Sequence, residues 1–150
     1  MIGSQDTRHA VSRVSPNELP SVWEQLQPQI QRGLRKGAGG TLTEIGLFND
    51  VACGSLDLWV VHRDEDILAG IFLRIDERES GKALIVIDAV AGTGKGFMHY
   101  AEDIIPRLRE YGQMVGAYTI EGVCRLGTAR LLSRLGCKPK AVIMELNDGR

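Results

Sequence analysis

Three consecutive segments between Leu56 and Val90 have the residue pattern of β-strands and are joined by short polar turns. In Leu56–Val61 and Ile67–Ile75 the apolar side chains alternate along the chain, as they do in strands that bury one face. The third segment, Lys82–Val90, is almost continuously apolar, as expected of a central strand covered on both faces. Since turns this short join antiparallel neighbours, the chain must build its fold around a sheet of hairpins.

Helical patterns flank this sheet on both sides, and further strands begin and end the chain. A Pro residue, Pro28, interrupts the first helical region, and we expect it to split or kink that region. The predicted elements outside the hairpins are a short strand at Arg8–Val14, a helical region opened by Ser15-Pro16-Asn17-Glu18, a helix opened by Thr41-Leu42-Thr43-Glu44 and ending at Cys53-Gly54, a helix at Lys95–Tyr111, a strand at Val115–Val123, a helix at Gly127–Leu135 and a strand at Ala141–Leu146. The order β-α-α-β-β-β-α-β-α-β predicts a mixed α/β (α+β) fold, with a central mixed sheet and helices on both faces.

The composition narrows the class of protein. The 150 residues fit one domain over 1–150, with 1–7 as a loose leader. A formal net charge of −1 and an aromatic content of 5% argue against a nucleic-acid-binding module, which has a basic excess or a stacking platform. No apolar stretch approaches the length of a membrane span, and the N-terminus has no apolar signal core, so we predict a cytoplasmic protein without a membrane partner.

Cysteine and histidine residues are few and widely spaced. Three cysteines form no CxxC pair, which predicts reduced thiols instead of a disulfide framework. The three histidines are isolated from one another, so we expect no metal site. Cys124 is read as a small buried residue, Arg125 and Arg130 as solvated or ion-paired unless they reach a phosphate, and Trp23 and Trp59 as core residues.

A glycine-rich turn, Gly92-Thr93-Gly94-Lys95-Gly96, follows the central strand and opens a helix. Its plain interpretation is a tight turn between strand and helix. Glycines also let backbone N–H groups approach an anion at a helix N-terminus. Two nucleotide-binding motifs do not fit. A P-loop needs Gly where this chain has Ala89, and Ser or Thr where it has Gly96. A dinucleotide-binding fingerprint needs Gly where this chain has Phe97.

The chain resembles the GNAT (GCN5-related N-acetyltransferase) superfamily over about residues 8–147. The resemblance lies in the element order, the helix opened by Ser15-Pro16-Asn17-Glu18, the apolar strand Ala83–Val90 with its glycine-rich turn, and the Gly127–Cys137 segment. A looser likeness is to small bacteriophage proteins with GNAT-type folds. The resemblance implies acetyl-CoA as co-substrate and a small-molecule or peptide amine as acceptor. It further implies that the pantetheine arm runs along Asp88, Ala89 and Val90, with the pyrophosphate over Gly92, Thr93, Gly94, Lys95 and Gly96.

Two carboxylates, Asp88 and Glu121, stand near the ends of strands that are expected to be parallel neighbours. If the strands splay there, either carboxylate can take a proton from the attacking amine. The alternative is that both are solvated or hydrogen-bonded residues at strand ends.

Two positions depart from the family pattern. Ala91 stands where the family has Arg or Gln, and Leu132 stands where many members have the tyrosine that protonates the leaving thiolate. These departures favour a second hypothesis, a non-catalytic GNAT-like structural or interaction protein associated with a phage or virion. The glycine-rich turn favours the transferase. A homo-oligomer is compatible with both hypotheses.

Overall fold

The computed structural model describes residues 9–36, 42–92, 97–123, 126–141, 144 and 146. Within them lie five strands, four α-helices and one 3₁₀ turn. The strands are β1 Ala10–Arg13, β2 Asp57–Arg63, β3 Asp66–Glu77, β4 Ala83–Gly92 and β5 Ala117–Gly122. The helices are α1 Leu19–Lys36, α2 Glu44–Cys53, α3 Ala101–Val115 and α4 Leu126–Ser133, with a 3₁₀ turn at Phe97–Tyr100 before α3.

The strands form one sheet in the order β1-β2-β3-β4-β5. The first three pairings are antiparallel, as expected of strands joined by short turns. The last pairing, between β4 and β5, is parallel, and α3 makes the crossover between them. The predicted mixed sheet is thus confirmed.

Local sequence signals set the helix starts. Before α1, the backbone N–H and the hydroxyl of Ser15 both donate to the carboxylate of Glu18, 3.0 and 2.8 Å away. Before α2, the Thr43 hydroxyl accepts from the N–H of Gly46, and Gly54 ends the helix with a φ of 90°. The cap of α2 is therefore Thr43 and not the earlier threonine, which lies outside the described residues.

Each face of the sheet carries its own apolar core, which confirms helices on both faces. On the α1 face, Trp23, Leu26 and Ile30 pack with Leu47 of α2 and with Phe72 of the sheet. On the α3 face the core is built from the opposite side chains of the same strands: Trp59, Val61, Ala69, Ile71, Leu73, Ile85, Tyr100, Ile104, Leu108 and Tyr111. Successive strand residues therefore point to opposite layers, as the alternation in the sequence predicts. None of the described helices is both long enough and apolar enough to cross a bilayer.

Three element predictions are corrected. The helix predicted over Lys95–Tyr111 begins as a 3₁₀ turn and continues to Val115, where Gly116 in the left-handed region ends it. The first helix is continuous through Pro28. In the segment predicted as a last strand, Ala141–Leu146, the described residues 141, 144 and 146 have no strand conformation, and the side chains of Met144 and Leu146 are 86% and 98% exposed. Apolar alternation makes a strand only where one face is buried, and these side chains contact no core.

Candidate functional site

The parallel strands β4 and β5 separate before β4 ends. Their described pairs run from Ala83 opposite Ala117 to Ile87 opposite Gly122. Beyond that point β4 continues to Gly92, and residues 89–92 are paired with β3 alone among the described residues. Within the described part of the chain, the side of β4 that faces away from β3 is therefore open at its carboxyl end. Backbone N–H and C=O groups on such an edge are free to bind an extended ligand.

A β-bulge lies at the point of separation. Phe72 of β3 is opposite Ala89, but the next residue, Leu73, is opposite Ile87, so Asp88 has no partner on β3. An extra residue of this kind bends the strand and increases its twist. The bulge gives a local reason for the divergence of β4 from β5, and it turns the backbone around Asp88 out of the regular ladder.

The side chain of Asp88 lies on the α1 face of the sheet and is bound by an arginine. Arg74 follows Leu73, which belongs to the α3-face core, so Arg74 points to the opposite face. Its Nε–H donates to Oδ2 of Asp88 at 3.0 Å. Among the described residues Oδ1 of Asp88 has no hydrogen-bond partner and is the oxygen available to a ligand.

The second predicted carboxylate, Glu121, lies on β5 one residue before the last β4–β5 pair. Arg78 donates to its Oε1 at 3.4 Å, and Lys140 contacts its Oε2. Both oxygens of Glu121 are thus engaged, whereas one oxygen of Asp88 has no partner among the residues that the structure describes. The structure brings the two carboxylates to the same junction, and it gives them different freedom to accept a proton.

Helix α1 closes directly over the open part of β4. A Cβ atom added to Gly33 would come within 2.7 Å of the carbonyl oxygen of Val90, so a helix residue with a side chain cannot take this position without a shift. The close approach holds α1 against the β4 backbone just past the bulge. This contact was not predictable, because glycine in a helix carries no signal of what it faces.

The predicted cofactor residues fall on both sides of the boundary of the described chain. Ala89, Val90 and Gly92 are on the open stretch of β4. Thr93, Gly94, Lys95 and Gly96 lie outside the described residues, as do Cys124 and Arg125. The two positions that depart from the family pattern are both described. Ala91 is 3% exposed in the α1-face core, and Leu132 is half-buried in α4.

The other candidate residues take structural roles. Trp23 and Trp59 are buried, as predicted, and Nε1 of Trp23 donates to Glu44 at 3.0 Å. Arg130 is exposed. In the described part of the chain no cluster of His, Cys, Asp or Glu has a geometry that could hold a metal ion.

A cavity of about 270 Å³ lies where β2 begins and the last part of β3 runs. Its wall includes Arg13, Asp57 and Tyr111, which bind one another. Burial, with a smaller contribution from the charge of Asp57, raises the pKa of Tyr111. These three side chains are thus engaged with one another, and Arg74, the partner of Asp88, also lines this cavity.

Sequence reasoning missed the bulge at Asp88 and the arginine that binds it. The only available signal for Arg74 was its charge within an otherwise apolar strand, since Ile71, Leu73 and Ile75 surround it. The position of the bulge depends on the register between β3 and β4, which alternation in each strand does not fix.

Comparisons with solved structures identify the fold. An aminoglycoside acetyltransferase from an uncultured soil metagenomic sample, solved with sisomicin, matches with a TM-score of 0.70 and 13% identity over 95% of this chain and 97% of that one. An aminoglycoside N-acetyltransferase solved with CoA matches with a TM-score of 0.69 and 10% identity over 95% and 96%. Glucosamine-6-phosphate N-acetyltransferase from Arabidopsis thaliana matches with a TM-score of 0.63 and 13% identity over 94% and 99%.

No family model and no curated protein matches the sequence. The likeness is therefore one of backbone arrangement at low sequence identity, and it extends over nearly the whole length of this chain and of each compared protein. Element order, mixed sheet and parallel β4–β5 pair agree with it. This chain has the fold of the GNAT acetyltransferases.

Proposed function

We propose that this protein transfers an acetyl group from acetyl-CoA to a primary amine by direct attack on the thioester. The observation that carries the proposal is the separation of β4 from β5 at the Asp88 bulge, which leaves an unpaired strand edge next to a carboxylate. The acetyltransferases that share the fold support it, since one of them was solved with CoA and another with an aminoglycoside.

In this proposal the pantetheine arm lies along Ala89 and Val90 and pairs with the open edge of β4. An extended amide-containing chain satisfies such an edge as an added strand does. The pyrophosphate lies over Gly92, Thr93, Gly94, Lys95 and Gly96, where glycines let backbone N–H groups approach an anion.

Asp88 is the proposed base, because its Oδ1 is available and both oxygens of Glu121 are engaged. The amine nitrogen forms a bond to the carbonyl carbon, the C–S bond breaks, and the amine proton passes to Asp88 directly or through water. With Leu132 at the position of the tyrosine, the leaving thiolate takes its proton from solvent. Positioning and backbone polarisation of the carbonyl supply most of the rate enhancement.

Calorimetric titration of the full chain with acetyl-CoA tests the proposal. We expect a dissociation constant of about micromolar order, and no heat with ATP at the same concentration, since ATP lacks the pantetheine arm. Lys95→Gln should weaken acetyl-CoA binding several-fold, whereas Lys138→Gln, which removes the same charge at an exposed site, should leave it unchanged. Absence of heat at about millimolar acetyl-CoA would refute the proposal.

The second candidate, a non-catalytic protein that retains the fold, is favoured by two observations. Ala91 is packed into the core and offers no group to a pyrophosphate, and Leu132 has no hydroxyl. The same titration separates the candidates, since the non-catalytic protein binds no acetyl-CoA and releases no CoA thiol with any amine.

A further inference from the structure

A band of alternating charges on the α1 face runs from Asp88, where β4 and β5 separate, toward the amino end of β4. We call it the junction cluster, and its members are Arg74, Asp76, Arg78, Asp88, Glu121 and Lys140. Arg74 contacts Asp88 and Asp76, and Arg78 contacts Asp76 and Glu121. The cluster therefore joins β3, β4 and β5 through one connected set of ion pairs.

The two signs are not equally accessible. The side chains of Arg74 and Arg78 are 42% and 50% exposed, whereas those of Asp88 and Glu121 are each 24% exposed. In both pairs the carboxylate is thus less exposed than the guanidinium group that binds it. Each guanidinium spends few of its N–H donors on described partners, and the planar group can present the remaining donors to an incoming oxyanion.

The greater exposure of the arginines than of the carboxylates indicates which acceptor the junction cluster favours. A polycationic amine meets arginines first, and it must displace them from the carboxylates before it gains any ion pair. An amine that carries a carboxylate or phosphate instead gains charge-assisted hydrogen bonds to guanidinium groups, which match such oxyanions in shape.

We infer that the acceptor is a primary amine bearing an oxyanion group, held by Arg74 and Arg78 so that its nitrogen faces Asp88. This inference rests on the proposed function and names the substrate class of the same site. It separates this chain from the structurally similar enzymes whose names give aminoglycosides, which are polycations, as substrates.

Turnover assays with matched amines test it. CoA thiol release is measured with acetyl-CoA and three arms: 4-aminobutyrate against 4-aminobutanamide, glucosamine 6-phosphate against glucosamine, and sisomicin. We expect kcat/KM to be at least about tenfold higher for the anionic member of one pair than for its neutral partner and for sisomicin. The pair that shows the preference identifies the oxyanion as carboxylate or phosphate.

Arginine variants connect the preference to the cluster. Arg74→Gln and Arg78→Gln should each raise KM for the preferred anionic amine about tenfold relative to KM for its neutral partner, with little change in the dissociation constant of acetyl-CoA. The comparison within one variant cancels any effect that loss of Arg74 has on its partner Asp88. Arg107→Gln is the matched control, since Arg107 is also 42% exposed and bound to a carboxylate at 3.0 Å, but on α3 across the sheet. Two variants protect the test if one fails to fold, which thermal unfolding reports.

Equal turnover of anionic and neutral amines, a preference for sisomicin, or an unchanged KM in both variants would overturn the inference and leave the transferase proposal standing. Failure to bind acetyl-CoA would overturn both. Binding of acetyl-CoA without turnover of any of these amines would overturn the inference, and it would leave the acetyl-CoA site standing without support for transfer.

Discussion

At the scale of single residues, the junction of β4 and β5 is defined by what surrounds Asp88. The residue has no partner on β3, one of its oxygens is bound by Arg74, and the other has no partner in the described part of the chain. A carboxylate so placed can accept a proton from a ligand on the open edge without leaving its ion pair. Glu121, with both oxygens bound, fits better as a member of the surrounding ion-pair network.

Replacing Asp88 by Asn tests this role. Asp88→Asn keeps the size of the side chain but removes the base, so kcat/KM with the best amine should fall about 10²–10⁴-fold at neutral pH. The dissociation constant of acetyl-CoA should change little. Glu110→Gln, which removes an exposed ion-paired carboxylate from α3, is the control. Activity of Asp88→Asn close to that of the unmodified protein would exclude Asp88 as the base.

Glu44 makes a second prediction at the residue scale, about stability. Hydrogen bonds from Gln31 and from the indole of Trp23 lower the pKa of the Glu44 carboxyl. A group whose pKa is lower in the folded than in the unfolded chain contributes stability above the unfolded value, here the ordinary 4.5, and loses it as the pH falls through the folded value.

Urea unfolding measured between neutral pH and about pH 3 checks this. The free energy of unfolding should fall with acidification, and Glu44→Gln should reduce that fall. Glu24→Gln, on an exposed position of α1, should not. An acid dependence that is the same in all three proteins would contradict the assignment.

At the scale of elements, the close contact between α1 and β4 holds the helix over the site. Gly33 permits it, because the carbonyl oxygen of Val90 occupies the space that a side chain would need. Pro28 was expected to split or kink this helix. The helix is not split, since packing of its apolar stripe on the sheet outweighs one lost hydrogen bond, and the kink stays a prediction.

A pair of glycine substitutions isolates this contact. Gly33→Ala gains up to about 1 kcal/mol of helix propensity but forces an overpacked contact that costs about 1–3 kcal/mol, so we expect a net loss of stability. Gly112→Ala makes the same change inside α3, where the nearest atom is 3.6 Å away, and should stabilise the protein. Chemical denaturation of both variants measures the difference. If both variants were stabilised by similar amounts, α1 would be able to shift away from the carbonyl oxygen of Val90 without loss of folding free energy, which would contradict the prediction.

At the scale of the whole molecule, two apolar cores share one sheet. Each contains one of the two tryptophans of the chain, Trp23 on the α1 face and Trp59 on the α3 face. Because strands β2 and β3 supply side chains to both cores, neither core can lose its order without disturbing the other. We therefore expect one cooperative unit, in keeping with the prediction of a single domain.

Single-tryptophan proteins test this cooperativity. In Trp59→Phe the fluorescence reports on the α1 face, and in Trp23→Phe it reports on the α3 face. Within each variant, the denaturation midpoint from fluorescence should coincide with the midpoint from far-UV circular dichroism. Separate midpoints within one variant would mean that the two faces unfold independently.

The sequence by itself determined the element order as far as α4, the mixed sheet and the cap of α2. These depend on short-range patterns: alternation in strands, apolar spacing in helices, and Ser15–Glu18 or Thr43 at a helix start. Asp88 and Glu121, and through the resemblance Ala89 and Val90, stay predictions of the sequence for the site.

Only the tertiary structure decided how that region is built. The bulge at Asp88 depends on the register between two strands. The contact of Lys140 with Glu121 depends on how the chain after α4 returns to β5. The contact between α1 and β4 joins two segments that are far apart in the chain. The alternating segment Ala141–Leu146 makes the same point, because its pattern is that of a strand and its described residues are not in the sheet. Local patterns fix which way side chains alternate, whereas pairing partners and ion pairs are fixed by contacts between segments that fold together.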